Sequence, residues 1–306
     1  MRNLKVGLSA LHYPLTMARY FWDALDRRGD CEVYAVGPFF DDWIPWNYSM
    51  KLPQKYVKVP YFTLPQSVAV TKPSYSLIEM NMPKDLDLFL VIDAGWHFST
   101  RPTADVVALI ETDPHVLKGN YQLPKSYSDV VFTMQTPYIE AGEQYLPYAY
   151  DPTIHYPEPE TEKIYDACLI GLHYPQRDAL VTGLRNKGYN VHYSIGEIYD
   201  DYRHIYNQSK IALSWSTLLD MPARVWEAFG MGNLLVTNRV PDLPTFFTEN
   251  DHYLGFSTVE EGISKVEWAL ANWDEAQKIA DAGHRKVNGN TYDARVRQIL
   301  ETCKLR

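Results

Sequence analysis

Short apolar runs alternate with helical patterns twice along this chain, and no other feature narrows its fold as much. The first series places strands at Leu4–Ser9, Cys31–Val36, Leu88–Ile92, Val106–Glu111 and Asp129–Met134. These are nearly continuous apolar runs, as parallel strands show when both faces of a sheet are covered. Leu15–Arg28 reads as a helix, with apolar residues at helical spacing and Gly29 just past its end. Residues 39–83 are rich in proline and aromatics and poor in periodicity. They are expected to form a long excursion along one face of the first domain.

Four prolines (Pro147, Pro152, Pro157 and Pro159) mark the expected link to the second series. Beyond it the pattern predicts strand Asp166–Ile170, helix Pro175–Lys187, strand Asn190–Ile195, helix Asp200–Gln208 and strand Lys210–Trp215. Helix Pro222–Met231 and strand Leu234–Thr237 follow. Thr258-Val-Glu-Glu261 is a capping box for a helix over Val259–Ala271. Helices are expected at Asp274–Lys286 and Tyr292–Leu300. Two such series imply two Rossmann-like α/β domains, residues 1–150 and 151–290, facing across a cleft. Ligands of such sheets sit at the carboxyl ends of the strands, so the cleft is the expected site.

The bulk numbers fit that architecture. The chain has 306 residues, 46% hydrophobic and 22% charged, which is a globular composition with room for two domains. The net charge of −9 disfavours a general nucleic-acid coat protein. No run approaches the roughly 18 apolar residues of a membrane span, and Met1–Leu15 does not read as a signal peptide. Three scattered cysteines, Cys31, Cys168 and Cys303, fit a reducing cytoplasm. Most of the 23 tyrosines are expected to pack in the core.

The stretch from Met221 to Val240, M-P-A-R-V-W-E-A-F-G-M-G-N-L-L-V-T-N-R-V, holds the densest chemistry. Pro222 suits a first helical position, which leaves the first-turn N–H groups free for an anion. Arg224 lies in that turn, where its guanidinium suits a pyrophosphate. Glu227 shares its face three residues on and could accept from a ribose diol. An ordinary ion pair on a surface helix explains the same spacing. In I-G-L-H-Y-P-Q-R at 170–177 a strand ends in Gly171, and Arg177 sits in the next helix's first turn. It is placed for a phosphate or simply solvated. The chain has no phosphate-loop lysine motif and no G-x-G-x-x-G, against nucleoside-triphosphate hydrolysis and a standard dinucleotide site.

In the first half, Asp93 closes a strand in V-I-D-A-G-W-H, Asp113 and His115 stand in E-T-D-P-H, and His12 follows the first strand. Their loops are expected to open on one sheet edge, where a carboxylate or imidazole could take a proton from a hydroxyl. Asp113 before Pro114 also reads as a turn residue. No metal site is expected, because D-P-H is too thin a cluster.

These residues resemble a known family. I-G-L-H-Y-P-Q-R at 170–177, Y-N-Q-S-K-I-A-L-S at 206–214, P-A-R-V-W-E-A-F-G-M-G-N-L-L-V-T-N at 222–238 and V-P-D-L-P-T-F-F at 240–247 come in one order. A-G-H-R-K-V at 282–287 and T-Y-D-A-R-V-R-Q-I-L at 291–300 complete it, with E-T-D-P-H and L-P-Y-A-Y-D-P-T-I-H at 146–155 upstream. In that order they resemble the CgeB-like, spore-maturation type of GT-B glycosyltransferase. The lead-in S-W-S-T-L-L-D-M-P at 214–222 departs from the family pattern.

The resemblance implies a metal-independent transferase with no cofactor. It would move a sugar from a nucleotide-diphosphate sugar, UDP-sugar foremost, to a hydroxyl of a saccharide, a protein or modified DNA. Glu227 would bind the donor ribose, and Arg177 and Arg224 would face the diphosphate. Gly171, Tyr174, Gly196 and Ser214 would line the nucleotide pocket, and the last helix, within 291–306, would cross back to the first domain. Asp93 is the first candidate base, His115 the second and His12 a third, with Trp43, Trp46 and Tyr48 as an acceptor-stacking surface. Two alternatives remain: a viral-type transferase acting on hydroxymethylated DNA bases, and a non-catalytic bilobal binder of sugar or nucleotide.

Overall fold

The computed structural model describes residues 2–305 except 45–47, Met50 and Ala94; for Trp43, Ile44, Tyr48, Ser49 and Asp93 it describes the backbone only. In chain order the elements are β1 (Leu4–Ser9), α1 (Ala18–Arg28), β2 (Cys31–Pro38), β3 (Trp43–Ile44), β4 (Tyr48–Ser49), β5 (Phe62–Leu64), β6 (Leu88–Asp93), β7 (Val106–Glu111), α2 (Pro114–Tyr127), β8 (Val130–Thr133) and β9 (Gln144–Tyr145). Then come β10 (Tyr165–Ile170), α3 (Pro175–Asn186), β11 (Val191–Ser194), α4 (Tyr199–Asn207), β12 (Ser209–Ser214), α5 (Ala223–Gly230), β13 (Leu234–Asn238), α6 (Leu243–Phe246), β14 (Leu254–Phe256), α7 (Val259–Ala271), α8 (Trp273–Val287) and α9 (Tyr292–Thr302). Two compact units result: residues 1–147 with 292–306, and residues 148–291.

The first unit is built on a seven-stranded sheet, order β5-β2-β1-β6-β7-β8-β9, with every neighbouring pair parallel. Its central strands are largely apolar because both faces are covered: Val6, Leu8, Phe89 and Val91 are wholly buried. The excursion between β2 and β6 does more than run along a face. Its β5 extends the sheet, and Leu64, Tyr75, Ile78 and Met82 pack in one core with Phe89, Trp96 and Phe98. Trp96 Nε1 donates to the Val68 carbonyl at 2.9 Å, tying the excursion down.

The closing helix α9 packs on α1 in this same unit. The Tyr292 ring stacks on Tyr20 with centroids 4.9 Å apart and meets Phe21 edge-on. Arg295 Nε donates to the Pro147 carbonyl and Gln298 Nε2 to the Tyr145 carbonyl, both at 2.8 Å.

The second unit has a five-stranded, all-parallel sheet in the order β11-β10-β12-β13-β14. The chain leaves β10 toward β11 and then crosses to β12 on the other side. The strand order therefore reverses between β10 and β12, the switch point where such sheets bind ligands. The capping box forms: Thr258 Oγ1 accepts the Glu261 N–H at 3.2 Å, and α7 runs over Val259–Ala271. Most of the proline-rich passage is no free link but part of this unit, with Tyr150, Asp151, Ile154 and His155 buried. Prolines mark where helices and strands stop; they say nothing about whether the backbone is then buried. Among the described residues no helix is long and apolar enough to cross a membrane.

Candidate functional site

The chemistry of the second unit gathers at the switch point. Gly171 directly follows β10, with φ +151°. A Cβ there would lie 2.4 Å from Arg224 Nη2 and 3.4 Å from Arg177 Nη1, so only glycine lets both guanidinium groups converge on this turn. The two arginines do different things. Arg177, buried in the first turn of α3, donates through Nε and Nη2 to the Trp215 carbonyl at 2.9 and 2.7 Å. Its Nη1 donates to the Leu172 carbonyl at 2.9 Å. It thereby ties the loop after β10 to the end of β12. Burial, reinforced by the neighbouring Arg224 charge, draws its pKa down to about 10. The Tyr174 ring lies 4.8 Å from this guanidinium and is partly exposed.

Arg224, in the first turn of α5, is the open member of the pair. Its Nε and Nη1 are inaccessible to solvent and have no hydrogen-bond partner among the described residues. Burial works against the charge, yet Tyr206, Tyr202 and Glu227 hold its pKa above the ordinary guanidinium value. The two phenols do so only when ionised. Burial raises the pKa of both, so at neutral pH the opposite charge near Arg224 comes from Glu227 and Asp220. A half-buried cation whose Nε and Nη1 are idle is costly, and an anion at the mouth of Gly171 would meet this guanidinium through Nη2.

Glu227 lies one turn further along α5 and is nearly buried. Its Oε2 accepts from the Tyr202 hydroxyl at 2.7 Å, and its Oε1 lies 3.7 Å from His155 Nε2. The ordinary ion pair with Arg224 that the spacing also allowed is absent from the ion pairs of the described residues. Ser214 ends β12, wholly buried, and its Oγ has no partner among the described residues. The unusual lead-in to α5 is ordered by Asn238: its Oδ1 accepts the Ser216 N–H at 2.8 Å and its Nδ2 donates to the Ser216 carbonyl at 2.9 Å. Gly196, with φ +134°, follows β11 and faces open space. Next to it, Glu197 accepts from Ser194 Oγ at 2.6 Å and lies 3.2 Å from His192 Nε2. The His192 contact leads in pulling its pKa down to about 2.

In the first unit the candidates part ways. His12 is buried, with Nε2 3.3 Å from the Val36 carbonyl and its ring edge-on to Trp22. Burial drops its pKa to about 4, so it serves the β1–β2 core and is poorly placed to collect a proton. His115 stands half-buried at the start of α2, with Nδ1 3.2 Å from Gln135 Nε2. Asp113 precedes it; its N–H donates to the Tyr121 hydroxyl at 3.0 Å and its carboxylate accepts from Thr112 Oγ1 at 3.1 Å. The Asp93 backbone pairs with Glu111 at the end of β6, while its side chain lies outside the described residues, as do those of Trp43, Trp46 and Tyr48.

Tyr202, His155 and Gln135 were not singled out from the sequence. Tyr202 and Tyr206 repeat at helical spacing on α4, and Asp151 and His155 span D-P-T-I-H. Either pattern alone reads as packing.

Residues 158–301 match the family model described as glycosyl transferase-like. No curated protein matches the chain. Among solved structures, Anabaena HepE in complex with UDP and glucose is similar at 10% identity, covering 99% of this chain and all of that one with a TM-score of 0.69. A sucrose-phosphate synthase from Thermosynechococcus elongatus is similar at 12% identity, covering 99% and 98% of the two chains with a TM-score of 0.65. An α-glucosyltransferase in complex with UDP and a 13-mer DNA containing an HMU base is similar at 10% identity, covering 99% and 100% with a TM-score of 0.66. The fold is that of the GT-B glycosyltransferases, two parallel-sheet Rossmann-like units, and the glycosyl transferase-like family model matches just under half of the chain, within its second half.

Proposed function

We propose that this glycosyl transferase-like chain moves a sugar from a UDP-sugar to a hydroxyl acceptor without a metal ion. Within its family we place it with the CgeB-like group, on the order of motifs described above. The observation that carries the proposal is Arg224: its Nη2 lies against the glycine turn at the sheet's switch point, and its Nε and Nη1 have no partner among the described residues. That is what a diphosphate would satisfy. Glu227, one turn along the same helix, would accept from the ribose diol. Arg177 would act by shaping the Gly171 turn, because three of its N–H bonds already go to backbone carbonyls. The two UDP complexes among the similar structures support a uridine donor.

In the transfer, the acceptor oxygen bonds to the anomeric carbon as the bond from that carbon to the diphosphate oxygen breaks. UDP leaves with the electron pair. Arg224 faces the charge that grows there, and preorganised donors are worth most when water is excluded. If configuration is inverted, the hydroxyl proton passes to a base, with Asp93 the first candidate and His115 the second; if it is retained, the proton passes to the leaving phosphate.

The acceptor is a saccharide or protein hydroxyl. A modified DNA base is the second reading, favoured by the similar α-glucosyltransferase bound to DNA and opposed by the net charge of −9. A thermal-shift panel of UDP-, GDP-, ADP- and dTDP-sugars tests the donor, since a ligand that binds the native state raises the melting temperature. UDP-sugars should give the largest shift, and no shift from any of the four would sink the proposal. Binding to hydroxymethylated duplex DNA that weakens steeply with salt would select the DNA reading.

A further inference from the structure

The L-P-Y-A-Y-D-P-T-I-H stretch has no part in the chemistry so far, yet it is built with care. Asp151 is wholly buried, and its Oδ1 accepts from the Thr153 N–H at 2.9 Å and from Thr153 Oγ1 at 2.7 Å. Its carbonyl accepts the His155 N–H at 2.7 Å, and its own N–H donates to His155 Nδ1 at 3.1 Å. The last bond settles the tautomer. With Nδ1 accepting, a neutral imidazole carries its proton on Nε2, and Nε2 is the atom 3.7 Å from Glu227 Oε1.

The turn reaches Glu227 because α5 lets it approach. A Cβ on Gly230 would lie 2.6 Å from the Tyr150 ring and 3.1 Å from the His155 carbonyl. From the other side, Tyr202 on α4 donates its hydroxyl to Glu227 Oε2 at 2.7 Å and sets its ring edge-on to His155 at 6.1 Å. Arg203, next on α4, donates to the Ile154 carbonyl at 3.2 Å, tying that helix to the same turn. One segment thus bonds this carboxylate, and a second brings a ring nitrogen to 3.7 Å from it.

We infer that Tyr202 and His155 are positioning residues that hold the Glu227 carboxylate in the plane and rotamer that receive the donor's ribose hydroxyls. The inference rests on the reading of Glu227 as the ribose ligand. A free glutamate has three side-chain torsions to restrain at binding. Fixing one oxygen with a phenol leaves the remaining lone pairs aimed in a set direction, so the cost of ordering is met when the chain folds. The preference for ribose over deoxyribose should therefore depend on Tyr202 as well as on Glu227.

Calorimetric titration of the full chain with UDP and with 2′-deoxy-UDP tests this, using wild type, Tyr202→Phe, Glu227→Ala and the double variant. Tyr202→Phe keeps the ring and its packing, so a fold defect is not expected, and the ratio of the two affinities within one variant does not depend on the active fraction. Tyr202→Phe should weaken UDP by about 2- to 12-fold, the cost of ordering one rotamer-rich side chain at binding. It should leave 2′-deoxy-UDP nearly unchanged, and the double variant should lose no more than Glu227→Ala alone. His155→Gln, which retains an N–H donor, should bind UDP better than His155→Ala. An unchanged UDP to 2′-deoxy-UDP ratio in Tyr202→Phe, or additive losses in the double variant, overturns the positioning role while leaving Glu227 in place. If Glu227→Ala itself binds both nucleotides as wild type does, the ribose reading fails and this inference falls with it.

Discussion

Replacing Arg224 with methionine should have opposite effects on affinity and on stability. The guanidinium sets Nη2 against the Gly171 turn and leaves Nε and Nη1 buried and unpartnered among the described residues. If it gives the donor diphosphate two charge-assisted hydrogen bonds at about 1.5 kcal/mol each, their loss costs about 3 kcal/mol. At about 1.4 kcal/mol per tenfold, UDP binding weakens by roughly 150-fold. The ligand-free protein loses a liability, because two buried donors no longer lack acceptors and the neighbouring Arg177 no longer faces a second cation. Methionine fills much of the same volume, so cavity formation is small. A gain of about 1–2 kcal/mol is expected, against which the attraction to Glu227 is already counted. For a chain of 306 residues that is a rise of about 1.5–3 °C in melting temperature. Calorimetric titration with UDP and a thermal melt of the ligand-free chain read the two effects independently. A variant that binds UDP as tightly as wild type, or that melts several degrees lower, would show that Arg224 already has its counter-charge within the fold and does not wait for a ligand.

Two further outcomes follow from the same packing. Gly230→Ala should gain up to about 1 kcal/mol of helix propensity but force the Tyr150 ring from 2.6 Å. The net cost of about 1–2 kcal/mol should appear as a lower urea midpoint with an unchanged slope; a stabilised variant would mean the 150–155 turn shifts freely. Glu197 has a folded pKa pulled down to about 2 by His192 and then Ser194. A depressed carboxylate stabilises the fold above its unfolded pKa and loses that contribution as pH falls through the folded one. Glu197→Gln should therefore cost about 2 kcal/mol at pH 7, a figure already discounted for partial exposure, and progressively less from about pH 4.5 toward pH 2. A difference in urea stability that is the same at pH 7 and pH 3 would contradict that pairing.

Features that depend on neighbours in sequence were legible without coordinates. The capping box at Thr258 places α7 to the residue, because the bonds that start a helix reach only three positions along the chain. The alternation of apolar runs and helices carried the two parallel sheets for the same reason, and strand ends moved by only a residue or two. β14 escaped because three residues hold no period, and of α2 only its start was legible, in the turn at Asp113 before Pro114. Burial of the proline-rich passage escaped because proline shapes the backbone without reporting what packs on it.

The site divides along the same line. That Arg224 and Glu227 share a helical face follows from their spacing alone. That Arg177 is consumed by Trp215, 38 residues away, while Arg224 stays open depends on how β10 and β12 lie side by side. That Glu227 is gripped by Tyr202, 25 residues back, and approached by His155 depends on α4 and the Asp151 turn both packing against α5. Local spacing sets which side chains a helix can present. Which of them remain unsatisfied is a balance of hydrogen bonds over the whole unit, and no stretch of the chain carries that balance by itself.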